Sequence, residues 1–290
     1  MILTNIHNLP SGFVKSIENK LHNKPNSLSA TTLLKGTKEI ILTERHWSEI
    51  KKDVAEFVWS TFGTAFHSIM EKGTDTDKEL AEYQVEYKVD GINITGTIDN
   101  YCEETGVISD YKTASINKIK LKSFDDWKKQ GLIYAWLLRK NNKPVSKCRF
   151  LGFLKDWSVM DSLKDPTLPN VPLSIYEFNV TEDDLAEIEK FIREKVEMYK
   201  TSLSLQDNEI KRCSDIEIWR TPTIYAITKK GAKRCVTGGK FENKQEADKA
   251  LLNYDNNHYI DVREGQCKKC LGYCDCKEFC SFYKSEVKGA

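Results

Sequence analysis

Gly96-Thr97-Ile98-Asp99, followed after one turn by Asp110-Tyr111-Lys112-Thr113, is the stretch on which the reading of this chain turns. Upstream, Glu82 to Val89 alternates polar and apolar residues, with Tyr83, Val85, Tyr87 and Val89 on one face. A period of two marks a half-buried strand. Asp90-Gly91 supplies a two-residue hairpin turn, and Ile92 to Ile98 opens the next strand. Glu103-Glu104-Thr105-Gly106 turns the chain again before a third strand from Val107 to Tyr111. This meander brings Asp99 to the end of one strand and sets Asp110 and Lys112 on its neighbour, where their spacing gives them a common face. Two converging carboxylates make an oxygen site for a hard cation such as Mg2+ or Mn2+. A lysine beside them suits a hydroxide nucleophile or the charge that builds on a phosphate in the transition state. A surface hairpin with solvated charges fits these residues equally well, so the flanking sequence has to decide.

The chain has 290 residues, enough for one large domain with a smaller appendage. Its formal net charge of +1 gives no global field to attract nucleic acid, so any anion-binding surface must be local. Met1 to Phe13 lacks the basic and apolar regions of a signal peptide, and no apolar run approaches membrane-spanning length. The expected location is the cytoplasm, with no membrane partner. Nine cysteines are many for such a chain, and five crowd into Cys267 to Cys280, which points to metal binding rather than disulfides.

Residues 1 to 35 read as turn-rich, with Leu9-Pro10-Ser11-Gly12, the segment Asn23 to Ser29, and a short helix capped within Ser27 to Leu34. From His46 to Glu71 the apolar residues Trp47, Ile50, Val54, Phe57, Val58, Phe62, Phe66 and Ile69 recur at helical spacing. One long helix, or two joined near Gly63, is expected there, with His67 near its end. Gly63 would let a backbone or substrate approach that histidine. A basic connector (Lys118, Lys120, Lys122, Lys128, Lys129) leads into a helix over Phe124 to Leu138, where Gln130 and Tyr134 lie four apart on one face. Cys148 to Leu154 and Leu173 to Val180 read as further strands. Thr181-x-x-Asp184 begins a helix that runs to Tyr199.

Beyond Leu205 the composition shifts. Lys211 to Lys244 holds nine basic and three acidic residues, with Trp219, Tyr225 and Phe241 interleaved. Basic groups neutralise phosphates and aromatic rings stack on bases, so Lys229, Lys230, Lys233 and Arg234 are candidate DNA contacts. A solvated face over a small core of its own fits as well. Gln245 to Tyr254 reads as a short helix and Tyr259 to Val262 as a short strand. The expected division is 1–205 and 206–290.

Together these pieces resemble a RecB-like nuclease of the PD-(D/E)XK superfamily. The resemblance rests on Gly63-Thr64-Ala65-Phe66-His67, an acid on the first strand, Gly96-x-x-Asp99, Asp110-Tyr111-Lys112-Thr113 and Gln130-x-x-x-Tyr134, in that order. It spans about residues 27 to 285 and looks most like phage exonucleases related to the CRISPR-associated and AddB-type nucleases. It implies a mixed α/β, restriction-endonuclease-like core: a central mixed sheet flanked by helices, with a Cys-rich C-terminal region. It also implies that His67, Asp99, Asp110 and the Tyr111 carbonyl hold Mg2+ or Mn2+. Lys112 would position or deprotonate the attacking water, and Gln130 and Tyr134 would orient Lys112 or hold the DNA backbone. For the first-strand acid, Glu82 is preferred to Glu86.

Cys267-x2-Cys270-x3-Cys274-x-Cys276-x3-Cys280 offers enough thiolates for tetrahedral Zn2+ or a 4Fe-4S cluster. The resemblance favours the cluster, although relatives with one carry a cysteine before the His motif and this chain has none before Cys102. The preferred ligands are Cys213, Cys270, Cys274 and Cys280, with Cys267 and Cys276 as alternatives. The function implied is metal-dependent DNA cleavage, exonucleolytic and tied to end processing or recombination. A phage strand-annealing protein is the natural partner, and the host cytoplasm the setting. The rivals are an endonuclease on the same core, and a DNA-binding or inhibitory protein without catalysis.

Overall fold

The computed structural model describes residues 1–23 and 25–289. Lys24, inside the expected Asn23 to Ser29 turn, lies outside the described residues. The chain divides into two compact units, Met1–Leu205 and Gln206–Ala290.

The first unit opens with β1 (Ile2–Thr4), α1 (Ser11–Glu18), β2 (Ser27–Ser29), α2 (Ala30–Leu33), α3 (Thr37–Arg45) and β3 (Lys51–Asp53). The helix expected over His46 to Glu71 is therefore corrected. The Asp53 side chain accepts from the Ala55 N–H while Glu56 reaches back to the Asp53 N–H, a capping box that opens a short 3-10 turn over Val54–Phe57. Only then does α4 (Val58–Lys72) begin. The expected helix within Ser27 to Leu34 is likewise shortened, because Ser27–Ser29 is a strand and Ser29 caps α2 from its side chain.

The remainder alternates: β4 (Leu80–Val89), β5 (Ile92–Cys102), β6 (Val107–Ala114), α5 (Ile116–Lys120), α6 (Asp125–Lys140), β7 (Lys147–Leu154), α7 (Val159–Lys164), β8 (Leu173–Asn179) and α8 (Glu182–Leu203). Six strands form one mixed sheet in the order β2-β5-β6-β7-β8, with β4 also on β5. β4, β5 and β6 run antiparallel as the meander requires, β6 and β7 are parallel through the α6 crossover, and β7 and β8 are antiparallel.

Pleating assigns the helices to opposite faces. Buried and half-buried residues alternate along β7, and Phe150 and Gly152 lie under α6: a Cβ on Gly131 would meet the Phe150 ring at 3.0 Å, and one on Gly152 the Trp127 ring at 2.9 Å. Phe153, one residue on, instead packs against Phe66 of α4 at 4.0 Å between ring centroids. Gly96 is a second close approach, since a Cβ there would stand 3.0 Å from Tyr134 Cδ1 and Cε1 and from Leu137 Cδ1. Tyr134 and Leu137 are buried and have little room to yield. Gly96→Val is thus expected to destabilise the protein by about 1–3 kcal/mol in urea unfolding, with Gly96→Ala at the low end. Equal stability of both variants and the parent would show that α6 can lift from β5 without cost. At Gly63 a Cβ would meet only Thr113 Oγ1 at 3.9 Å, so no backbone among the described residues makes the close approach expected there.

The second unit holds β9 (Ile224–Lys229), β10 (Cys235–Phe241), α9 (Lys244–Leu251), β11 (His258–Arg263) and α10 (Lys268–Gly272). The strands make an antiparallel sheet in the order β10-β9-β11. Lys229, Lys230, Lys233 and Arg234 lie exposed around the β9–β10 turn. No helix among the described residues is long and apolar enough to cross a membrane.

Candidate active site

The site is a fork in the sheet. One edge of β5 is covered by β4 along its length. The other edge is shared: β2 pairs with residues Asn93 to Thr95, and β6 with Asn100 to Cys102. Between them Gly96 to Asp99 has no strand on that side among the described residues. At the split, Asp99 Oδ2 takes the place of a ladder carbonyl and accepts the Tyr111 N–H at 2.7 Å.

The flanking pairs Ala81–Asn100 and Tyr83–Ile98 bracket Glu82 opposite Asp99, and Glu82 breaks the ladder with φ 45°. A left-handed non-glycine residue inside a strand is strained, and here the strain falls on a carboxylate facing Asp99. From α4, His67 Nδ1 lies 3.2 Å from Asp99 Oδ1 and 3.9 Å from Glu82 Oε1. Donor atoms of His67, Glu82 and Asp99 all fall within 4.8 Å of one another. His67 Nε2 meets the Tyr111 carbonyl at 2.9 Å. A carbonyl only accepts, so Nε2 carries a proton; Nδ1 carries one too while it donates to Asp99, and it has a lone pair to offer a cation only after losing that proton. The Tyr111 oxygen expected as a further ligand is thereby engaged by the ring, with one lone pair to spare.

Pleating turns Asp110 and Lys112 toward α6, while Tyr111 and Thr113 face α4. Asp110 is 1 % exposed. Lys112 Nζ bonds its Oδ1 at 2.8 Å and stands 2.6 Å from Oδ2 without hydrogen-bond geometry, which leaves Oδ2 a buried oxygen with no hydrogen-bond partner. Such an oxygen is suited to a cation. Burial pushes the Asp110 carboxyl up to about 7, the Lys112 charge opposes this, and the Asp99 charge adds to it. For Asp99, burial acts upward, but hydrogen bonds from His67 and the Tyr111 N–H hold it below the usual carboxylate range. The hydrogen bond with Asp99 raises His67, against burial. Glu82 is raised, first by burial and then by the Asp99 charge. One imidazole among carboxylates is a donor set that fits Mg2+ or Mn2+.

Gln130 Nε2 donates to the Tyr134 hydroxyl at 2.8 Å, and both side chains are 6 % exposed. Burial, then the Asp110 charge, pushes the Tyr134 phenol upward. Such depth favours positioning over contact with a DNA backbone. Glu86 is elsewhere, accepting from Asn93 Nδ2 at 2.8 Å on the exposed surface. Sequence reasoning missed Glu79, which takes a 2.7 Å bond from Asn100 Nδ2 beside the fork. No motif marks it, since it lies just ahead of β4. A cavity of about 430 Å3 opens against Gly96, lined by Ser27, Ser29, Thr31, Lys35, Thr95 and Thr97 among others.

The family model of the PD-(D/E)XK nuclease superfamily matches residues 25–215. The chain belongs to that superfamily. The matched segment contains the whole fork and every side chain just described around it. Among solved structures, the chain is similar to a protein named SSO0001 (16% identity, 64% of this chain and 84% of that one, TM-score 0.47). It is also similar to a phage-related exonuclease from Haemophilus somnus 129PT (11% identity, 64% and 98%, TM-score 0.43). A third is the alkaline exonuclease LHK-Exo from Laribacter hongkongensis (13% identity, 61% and 90%, TM-score 0.39). No curated protein matches the chain.

In the second unit Ile218, Cys267, Cys270, Phe282, Tyr283 and Val287 form a small core, with Cys213 and Cys280 packed against it. The Cys270 thiol is pushed up to about 12, first by burial and then by Cys274, Cys267, Cys213 and Cys280. Cys274 and Cys276 bring their sulfurs to 3.6 Å, and Arg220 Nη1 lies 3.9 Å from Cys267 Sγ.

Proposed function

We propose that this superfamily member is a metal-dependent deoxyribonuclease acting on DNA ends, an exonuclease. The observation that carries the reading is the fork, where α4 supplies His67, β4 Glu82, β5 Asp99 and β6 Asp110 with Lys112. His67, Asp99, Asp110 and the Tyr111 carbonyl are assigned to Mg2+ or Mn2+, with Glu82 beside them. A cation held there would offset phosphate charge and lower the pKa of a water. Lys112, ion-paired with Asp110, is assigned to orient that water or take its proton, and the buried Gln130–Tyr134 pair, where Tyr134 feels the Asp110 charge, to positioning Lys112. The His and Gln-x-x-x-Tyr motifs favour attack from an end over internal cutting. Exposed Lys229, Lys230, Lys233 and Arg234 are assigned to the DNA backbone. A strand-annealing protein of phage recombination is the proposed partner, in the cytoplasm. End-labelled linear DNA and a closed circle, each with Mg2+, Mn2+ or EDTA, test this. Metal-dependent release of nucleotides from the linear form alone is expected, and cutting of the circle would replace the exonuclease with an endonuclease.

The cysteines are assigned to a 4Fe-4S cluster, with Zn2+ as the alternative. The preferred ligands Cys213, Cys274 and Cys280 are all neighbours of Cys270, as is Cys267, and a buried thiol so surrounded gains from metal ligation what it loses to burial. The protein as isolated is expected to be brown, and Cys270→Ser to lose both colour and iron and to make the second unit sensitive to protease. A colourless protein that contains zinc would reverse the choice of metal.

A further inference from the structure

Helix α4 carries the candidate catalytic histidine, yet none of its fifteen residues is buried. Trp59 is 59 % exposed and Phe62 54 %, although one apolar residue of the same helix, Phe66, is anchored on Phe153. The two outer rings touch edge to face, with centroids 6.4 Å apart and planes at 79°. Lys155 Nζ lies 4.3 Å from the Trp59 centroid, so a cation is fixed beside the exposed ring. Eight residues separate Trp59 from His67, which is about 12 Å along the helix axis. The offset is short enough for one polymer strand to meet both.

We infer that Trp59 and Phe62 form a stacking platform for unpaired bases next to the bond being cut, so that the substrate strand is single-stranded where it crosses α4. The inference rests on the nuclease reading of the fork. Two observations select a nucleic acid strand over a protein partner. The rings stand on the element that supplies His67, which is where the substrate must arrive. The Lys155 ammonium beside Trp59 pairs an aromatic face with a positive charge, matching a base and its neighbouring phosphate. Bases inside a duplex are already stacked on both faces and offer nothing to these rings, so the platform discriminates in favour of a single or frayed strand.

The experiment uses the full chain with Trp59→Ala, Phe62→Ala, the double variant and Trp59→Phe. Affinity for a labelled oligothymidylate and for a blunt duplex is read by fluorescence anisotropy in EDTA at several salt concentrations. Turnover of thymidine 5′-p-nitrophenyl phosphate, which has no neighbouring base, is read with Mn2+. Trp59→Ala should weaken strand binding about tenfold or more and the double variant further, while Trp59→Phe retains most of it. The slope of log affinity against log salt should not change, because no phosphate contact is lost. Duplex affinity and ester turnover should stay within about twofold. Unchanged strand affinity, equal loss on duplex and strand, or a fall in ester turnover would overturn the platform. So would self-association in sedimentation velocity that Trp59→Ala abolishes, since that would give the face to a second copy. Selective loss of strand binding in a protein that hydrolyses no ester would keep the platform and sink the nuclease reading.

Discussion

Asp110→Asn is expected to lower metal-dependent DNA hydrolysis by about a thousandfold, while the metal-free variant stays at least as stable as the parent at neutral pH. Asparagine keeps the shape of the side chain but cannot ionise, so it removes the buried charge that a cation would use. The stability half follows from linkage. Folding raises the Asp110 carboxyl from 3.8 to about 7, chiefly by burial. Its contribution is then fully present below the unfolded value, and it is lost as pH rises through the folded one. The metal-free parent should therefore lose stability between about pH 4 and 7, and Asp110→Asn should not. Lys112→Ala should be as inactive for a different reason. It strips the amine from both Asp110 oxygens and leaves a buried carboxylate without its counter-charge, so this variant should also be less stable than the parent. Urea unfolding in EDTA across that range separates the two. Near-parental nuclease activity in either variant would remove the fork as the active site.

The hairpin turn at Asp90-Gly91, the alternation before it and the Asp-x-Lys spacing were legible because each is a local signal with one physical reading. Asp90 and Gly91 both take positive φ, as a two-residue turn between right-twisted strands requires. What the sequence did not disclose is non-local. The three-residue strand Ser27–Ser29 carries no period of its own and exists because β5 offers it an edge. That strand, because its pairing with β5 stops at Ser29 opposite Thr95, leaves the gap in which Asp99 can turn to the Tyr111 N–H. The left-handed Glu82 was equally hidden, since no turn residue marks it. The apolar spacing from Trp47 onward suggested a longer helix than forms because periodicity does not register an Asp53–Glu56 capping box placed inside it. Gly96 was legible as part of a motif. Its physical reason, clearance for Tyr134 and Leu137, needed the packing of α6. The exposure of Phe62, which belongs to the apolar stripe of that segment, and of Trp59, which lies outside it, was not legible for the same cause: a stripe at helical spacing says which residues share a face and not whether anything covers it.

Lowering the pH should inhibit the enzyme steeply when metal is scarce and weakly when metal is abundant. Two of the groups assigned to the cation are shifted in the direction that makes protons compete with it, and Glu82 beside them is raised as well. The hydrogen bond with Asp99 raises His67, which favours the charged ring, and a protonated imidazole has no lone pair at Nδ1 to offer. Burial raises Asp110 to about 7, so its carboxyl holds a proton through weakly acidic conditions unless a cation displaces it. Asp99 is held below the usual range by His67 and the Tyr111 N–H and does not add to the competition. At a fixed low Mn2+ concentration the rate should fall about tenfold per pH unit where one proton is displaced, and up to about a hundredfold where both are, below about pH 7. Raising Mn2+ should move the fall to lower pH. His67→Ala removes one of the two competitors, so its weaker activity should show the shallower, single-proton slope. A pH profile that keeps its shape and position as Mn2+ is raised would mean that neither group binds the ion. It would then have to be sought among Glu82, Asp99 and their neighbours alone.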